Sequence, residues 1–184
     1  MDFPEKLQKE FKVSRSLQKV IISVSVLFLF VGLFYPFFTS SKTVEVVKIA
    51  DGDTVDVRLN GEIETIRMKG IDTPETAGYN TPEEYQGVPK HNWKCLEKWG
   101  YNAKDYVANK IEGKDITLAY RKGVFTVERG IFNRLLGKIY VSDSGRSLNQ
   151  ILVEKGYARS YGDYYQNIEN KARMNKSGLW ECAQ

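Results

Sequence analysis

The chain has 184 residues, 42% hydrophobic and 27% charged, with a formal net charge of +4. That length suits one globular domain plus an appendage, and the composition is that of a soluble domain rather than a disordered polyelectrolyte. The mild positive balance is compatible with a polyanionic partner without identifying one, and two cysteines without a C-x-x-C, beside a single histidine, His91, exclude a zinc site.

Residues 1–19 carry Lys6, Lys9, Lys12, Arg15 and Lys19 against Asp2, Glu5 and Glu10, a net of +2. The run VIISVSVLFLFVGLFYPFF, from Val20 to Phe38, has no charge. As a helix rising about 1.5 Å per residue it reaches roughly 28 Å, close to a bilayer core of about 30 Å. An uncleaved signal anchor over residues 20–40 is the favoured reading. A cleaved signal peptide and a buried core helix are its alternatives; the length of the run, the lack of an A-x-A site after it and the lack of a polar stripe weigh against them. Five basic residues precede the run, and only Lys42, Lys48 and Arg58 follow it over a similar length. That bias predicts a cytoplasmic N-terminus for 1–19 and a domain, 42–184, outside the cell membrane. There Cys95 and Cys182 could pair; sequence leaves a disulfide and two free thiols equally open.

Within the soluble part, TVEVVKI (43–49) predicts a strand, Asp51-Gly52 a turn and DTVDVRL (53–59) a second strand. Asn60-Gly61 is a hairpin turn, and EIETIRMKGI (62–71) is a third strand ended before Pro74. Residues 76–92, which include His91, read as a polar surface loop. From Trp93 to Gly113, Leu96, Trp99, Ala103, Tyr106, Val107 and Ile111 recur at spacings of three and four, which predicts a helix. DITLAYR (115–121) and RLLGKIYV (134–141) predict two more strands. A short helix capped by Ser147 follows over 147–156, and helical spacing returns over 164–177. The order predicts an α+β fold: a five-stranded OB-type β-barrel with about three helices, preceded by a single transmembrane helix. Such barrels commonly bind oligonucleotides, but fold alone does not give function.

Carboxylates collect where one strand begins and another ends: Asp51 and Asp53, then Asp72 and Glu75. Turn chemistry accounts for Asp51. A two-residue Asn60-Gly61 loop sets Val55 opposite Ile66 and Asp53 opposite Met68. Val55, Val57, Leu59, Ile66 and Met68 then share the core face, with Asp53 and Asp72 in the same parity. Two carboxylates at the rim of an apolar interior need a cation between them, an arginine or a metal. Oxygen donors would suit a hard ion, Ca²⁺ first. The same register pairs Arg67 with Thr54 and directs it to the opposite, polar face, so it can join the carboxylates only if the strands coil or bulge.

DGDTV, IRMKGIDTPET, NRLLGKIYV and LNQILVEKGYARS resemble, in that order, the motifs of the thermonuclease (staphylococcal nuclease-like) family, over roughly residues 43–181. EKWGYNA (97–103) is similar to the start of the family's first helix. The resemblance implies a calcium-dependent phosphodiesterase on an OB barrel that acts on DNA and RNA and leaves 3′-phosphate ends. Asp53 and Asp72 would ligate Ca²⁺ with the backbone carbonyl of Thr73, Glu75 would lie beside the attacking water, and Arg67 and Arg134 would grip the phosphate. The family's stacking tyrosines fall near Tyr161, Tyr164 and Tyr165, and Arg159 and Lys138 read equally as phosphate contacts or solvated charge. The run GIFNR (130–134) departs from the family's aspartate-tyrosine-glycine before its second arginine, which implies a differently braced loop. The expectation is a membrane-anchored, monomeric nuclease whose partners are DNA, RNA and the membrane. The alternative is a catalytically weak or inactive OB-fold module binding nucleic acid or protein; the full set of Asp53, Arg67, Asp72, Glu75 and Arg134 argues against it.

Overall fold

A computed structural model describes residues 19–24, 38–78, 80–123, 126–141 and 145–183. The chain divides into two units, Met1–Phe37 and Phe38–Gln184. In the first, residues 19–24 are helical, and the rest of the predicted anchor up to residue 37 lies outside the described residues. Among the described residues no helix is long and apolar enough to cross a membrane.

The second unit is built on strands β1 (Phe38–Ile49), β2 (Thr54–Leu59) and β3 (Glu62–Met68), followed by the two-residue β4 (Ile71–Asp72). Helix α1 (Trp93–Ile111) leads to β5 (Asp115–Lys122) and β6 (Leu135–Tyr140). Helix α2 (Leu148–Glu154), the short β7 (Arg159–Ser160) and helix α3 (Gln166–Met174) complete the order. Five strands close into a barrel in the order β1-β2-β3-β6-β5, with β3 and β6 parallel, as expected for an OB-type α+β fold. Strand β1 begins at Phe38, where the ladder Phe38↔Lys122 to Glu45↔Asp115 already ties it to β5. The last three residues of the predicted 20–40 span are therefore sheet. An irregularity between Val46 and Lys48 shifts the β1–β2 register, the kind of bulge that bends a strand around a barrel.

Asn60 and Gly61 both take positive φ, 55° and 89°, and close the β2–β3 hairpin in the predicted register, Leu59↔Glu62 to Thr54↔Arg67. The predicted third strand is not continuous. At Gly70 the backbone turns at φ 80°, and Ile71–Asp72 leaves β3 to pair with Arg159–Ser160. Val55, Val57, Ile66, Met68, Leu118 and Ile139 fill the barrel, joined by Val107 and Ile111 of α1 and Leu152 of α2. Asn149 of α2 is fully buried and serves the parallel β3–β6 seam: its amide donates to Lys69 O (3.0 Å) and Gly137 O (3.2 Å) and accepts from Ile139 N (3.1 Å). Gly137 O thereby gains a second donor beside Lys69 N, and the buried amide of Asn149 is itself satisfied.

Residues 76–92 are not simply a polar surface loop. They contain two 3₁₀ turns, Pro82–Glu84 and Lys90–Asn92, and bury Tyr85 and Val88 in a second cluster with Leu96, Ala172, Leu179 and Trp180. The apolar Tyr85 and Val88 need cover, and the C-terminal segment supplies it. A Cys95–Cys182 disulfide, Cα–Cα 5.8 Å, stitches the same cluster, so the two thiols are paired.

Candidate active site

Asp53 stands just before β2 with no solvent exposure. Its Oδ2 accepts the backbone N–H of Thr73 at 2.9 Å and its Oδ1 the hydroxyl of Thr54 at 3.0 Å. Arg67 Nη1 donates to that same Oδ1, and Arg67 Nη2 donates to Asp72 Oδ1. One guanidinium thus lies between two carboxylates. The β2–β3 register is the predicted one, yet Arg67 does not stay on the polar face. It is the last residue but one of β3, beside the turn at Gly70 that brings Asp72 back, and the buried Asp53 charge needs a partner. Burial pushes the Asp53 carboxyl above its usual range, and Arg67 and the Thr73 N–H pull against that rise.

The second oxygen of Asp72 is held by Arg159, from Nε at 3.0 Å and Nη2 at 2.8 Å. Arg159 Nη2 also donates to Glu84 at 2.8 Å, and its guanidinium lies 5.4 Å from the Tyr85 ring and 5.7 Å from the Tyr161 ring. Burial of the Tyr85 phenol, then the neighbouring Asp72 charge, drive its pKa upward, so the ring stays neutral beside Arg159. Arg159 is therefore not a solvated charge: it is paired with Asp72 and Glu84. Sequence reasoning missed Glu84 and Tyr85 altogether, because nothing in the 76–92 segment signals which residue turns inward.

Pro74 and Glu75 lie against α1 at Gly100. A Cβ there would come within 2.5 Å of Glu75 O and 2.6 Å of Pro74 O, so only glycine lets the segment pack this close. Asn80 fastens it, accepting from Glu75 N at 2.8 Å and donating to Glu75 O at 3.0 Å. The Asp51 side chain accepts from Gly52 N at 2.8 Å and stands in the field of the Asp53 and Glu75 carboxylates. Burial, with the nearby Asp53 and Glu75, raises its pKa to about 7. Turn chemistry alone does not describe Asp51; it belongs to the site. Among the described residues, no three carboxylate, imidazole or thiol groups form a ready metal cage. His91, on a 3₁₀ turn, is exposed.

Arg134 reaches the same mouth from the start of β6. Its Nη1 lies 3.5 Å from Thr54 Oγ1, and its Nε donates to Ile131 O at 3.3 Å. The GIFNR loop is braced from below. Arg129 pairs with Glu64 at 2.7 and 3.0 Å and donates to Asn133 O at 2.6 Å. Phe132 and Asn133 both take left-handed backbone, φ 59° and 60°, and the Phe132 ring is left 86% exposed, 5.6 Å from the Arg134 guanidinium. Arg67 and Arg134 line one cleft of about 440 Å³, together with Lys69, Tyr161 and Tyr164. Tyr165, in contrast, is buried in the core.

Two cationic forks and a ring of carboxylates at a barrel mouth can hold and polarise a phosphodiester. Comparison with known proteins points the same way. The family model described as staphylococcal nuclease homologue matches residues 65–182. An uncharacterised protein of Methanocaldococcus jannaschii is 35% identical over 147 residues, 74% of this chain and 70% of that protein. An uncharacterised endonuclease of Escherichia coli O157:H7 is 29% identical over 143 residues, 75% of this chain and 76% of its own length. The thermonuclease of Staphylococcus hyicus is 25% identical over 149 residues, 77% of each chain.

Proposed function

The chain belongs to the staphylococcal nuclease homologue family and is a nuclease that hydrolyses phosphodiester bonds, and from that premise we propose a calcium-dependent endonuclease of DNA and RNA, held at the cell membrane by its N-terminal segment with the barrel outside. The observation that carries this reading is the Arg67 guanidinium set between buried Asp53 and Asp72, with Arg134 across Thr54. The disulfide supports the outward placement, since such bonds persist in oxidising compartments.

Asp53, Asp72 and the Thr73 carbonyl would hold the calcium. Their chemistry fits: two carboxylates already face one positive charge, and the buried Thr73 Oγ1 has no hydrogen-bond partner among the described residues. All-oxygen donors suit a hard cation. When bound, the ion supplies Lewis-acid polarisation of the phosphate. The chain's own groups do the rest. Arg67 and Arg134 take non-bridging oxygens of the phosphate from two sides, and Arg67 shifts from the carboxylates toward the incoming anion. Both meet the negative charge that grows in the five-coordinate state. Glu75 orients the attacking water and accepts its proton. The water oxygen bonds to phosphorus, the P–O5′ bond breaks with its electron pair leaving on O5′, which takes a proton from solvent, and the ends are 3′-phosphate and 5′-hydroxyl.

Full-length protein incubated with single-stranded DNA and RNA is expected to degrade both in Ca²⁺ and neither after chelation. Glu75→Gln should slow cleavage by about 10²–10⁴-fold. Intact cells should degrade added strands; activity that appears only after lysis would overturn the outward placement, and chelator-resistant degradation would overturn the metal requirement. Arg159→Ala should lower kcat/KM by roughly 10- to 100-fold and raise the Ca²⁺ concentration for half-activation, because Asp72 loses two of its bonds. Arg159→Lys, which keeps the charge without the fork, should fall between. A Ca²⁺ titration unchanged by Arg159→Ala would confine Arg159 to packing.

A further inference from the structure

The active-site cleft does not end at the barrel mouth. Its wall at Lys69, Leu136 and Tyr164 is shared with a second cleft of about 300 Å³, lined also by Arg121, Lys138 and Tyr140. Among the lining residues of that second cleft are three cationic side chains, Lys69, Arg121 and Lys138, and no carboxylate. One carboxylate, Glu128, sits at the junction, 2.6 Å from Lys69 Nζ and 3.9 Å from Arg121 Nε. Among the described residues no carboxylate pairs with Lys138, whose ammonium lies 5.9 Å from the Tyr165 ring.

Lysines on a barrel wall are commonly just solvated. Here the junction itself is built. Tyr164 is half exposed, and Lys69 Nζ lies 5.5 Å from its ring centroid. The ring rests on Gly70 so closely that a Cβ there would come within 2.6 Å of Tyr164 Cγ. Gly70 is the residue that turns the chain from β3 toward Asp72. The tyrosine is thus a fixed aromatic face between the two clefts, seated on the turn that places the active-site carboxylate. A cationic channel interleaved with aromatic faces is how proteins track a single strand without reading its sequence.

We propose that the second cleft carries the single-stranded polynucleotide onward from the scissile phosphate. Lys138 and Arg121 take a phosphate beyond the Tyr164 ring that divides the two clefts. The inference rests on the nuclease reading of the barrel mouth and adds a second phosphate subsite on the barrel wall, outside that mouth.

The test compares full-length wild type, Lys138→Ala, Lys138→Arg and Lys48→Ala. Lys48 is an exposed lysine of β1 that lines neither cleft, and it controls for lost charge. The first readout is KM for a twelve-nucleotide DNA strand divided by KM for a dinucleotide, which reaches only the mouth. That ratio should rise about fivefold in Lys138→Ala, recover in Lys138→Arg and stay put in Lys48→Ala. The second is anisotropy of the labelled twelve-nucleotide strand in chelator, where nothing is cut. There the slope of log affinity against log salt should shrink by about 0.7 in Lys138→Ala, one phosphate contact's worth for a single strand. A ratio and slope matching Lys48→Ala overturn the track and leave the nuclease standing. A chain that binds with the Lys138-dependent slope yet cuts neither substrate keeps the track and sinks the nuclease reading.

Discussion

Arg67→Ala is expected to abolish cleavage and to weaken the fold at the same time. On the catalytic side, the loss of one of two guanidinium forks that meet the transition-state charge should cost about 10³-fold in rate or more. The structural cost has a different origin. Arg67 bridges Asp53, which has no solvent exposure, and Asp72. Removing it leaves a buried carboxylate without its counter-charge, a change that costs about 3–5 kcal/mol in comparable cases. For a domain of this size that corresponds to a fall of roughly 10 °C in the unfolding midpoint. The double variant Arg67→Ala/Asp53→Asn separates the two effects. It removes the stranded charge, so stability should partly return while activity stays lost. Calorimetry and a cleavage assay on the three proteins decide the matter. An Arg67→Ala protein as stable as wild type would show that Asp53 does not depend on Arg67.

Removing the disulfide should have the second large effect, on stability. Cys95 and Cys182 are 87 residues apart in sequence, so the bond closes most of the barrel unit into one loop. Chain-entropy reasoning gives roughly 4–5 kcal/mol for a loop of that length. Cys95→Ala/Cys182→Ala should therefore unfold at least about 10 °C lower than wild type. A reductant should lower the wild-type midpoint toward that of the double variant and leave the variant's own midpoint alone. The bond also fastens the cluster that holds Tyr85, and Tyr85 flanks Arg159. Activity should accordingly be lost in the double variant at temperatures where the barrel strands still give a folded circular-dichroism signal. Equal midpoints for the double variant and wild type would mean that the cluster holds without its bond.

Both effects centre on contacts between segments far apart in sequence, and such contacts separate what could be read in advance from what could not. The hairpin register was legible because Asn60-Gly61 admits a tight turn and side-chain parity alternates strictly along a strand, so Val55, Ile66 and Met68 had to face inward together. The Ser147 cap was legible for the same local reason, and the structure has its hydroxyl accepting from Gln150 N at 3.2 Å. Asp53 and Asp72 stood out in the sequence by their place at strand ends, Arg67 and Thr73 only through the family resemblance, and the fold brings these four together.

What parity predicted wrongly was the direction of Arg67. Alternation governs where Cβ points, not where a long side chain ends once a desolvated carboxylate lies within reach at a strand's last residues. The break of the third strand at Gly70, the inward turn of Tyr85, the commitment of Arg159 to Asp72, and the place of Asp51 against Glu75 were likewise outside local pattern. Each depends on which distant segment arrives to cover or pair a group, as Ser160 pairs with Ile71 and Glu84 with Arg159.

By itself, then, the sequence determined the succession of strands and helices along the chain, the core face of the hairpin and the set of acidic and basic residues available for phosphate chemistry, because period, turn residues and motif spacing are local properties. Only the tertiary structure decided which of those charges face one another, since burial and counter-charge are properties of the closed barrel. It places Arg67 between two aspartates, Arg159 behind the second of them and Tyr164 on the turn that carries it.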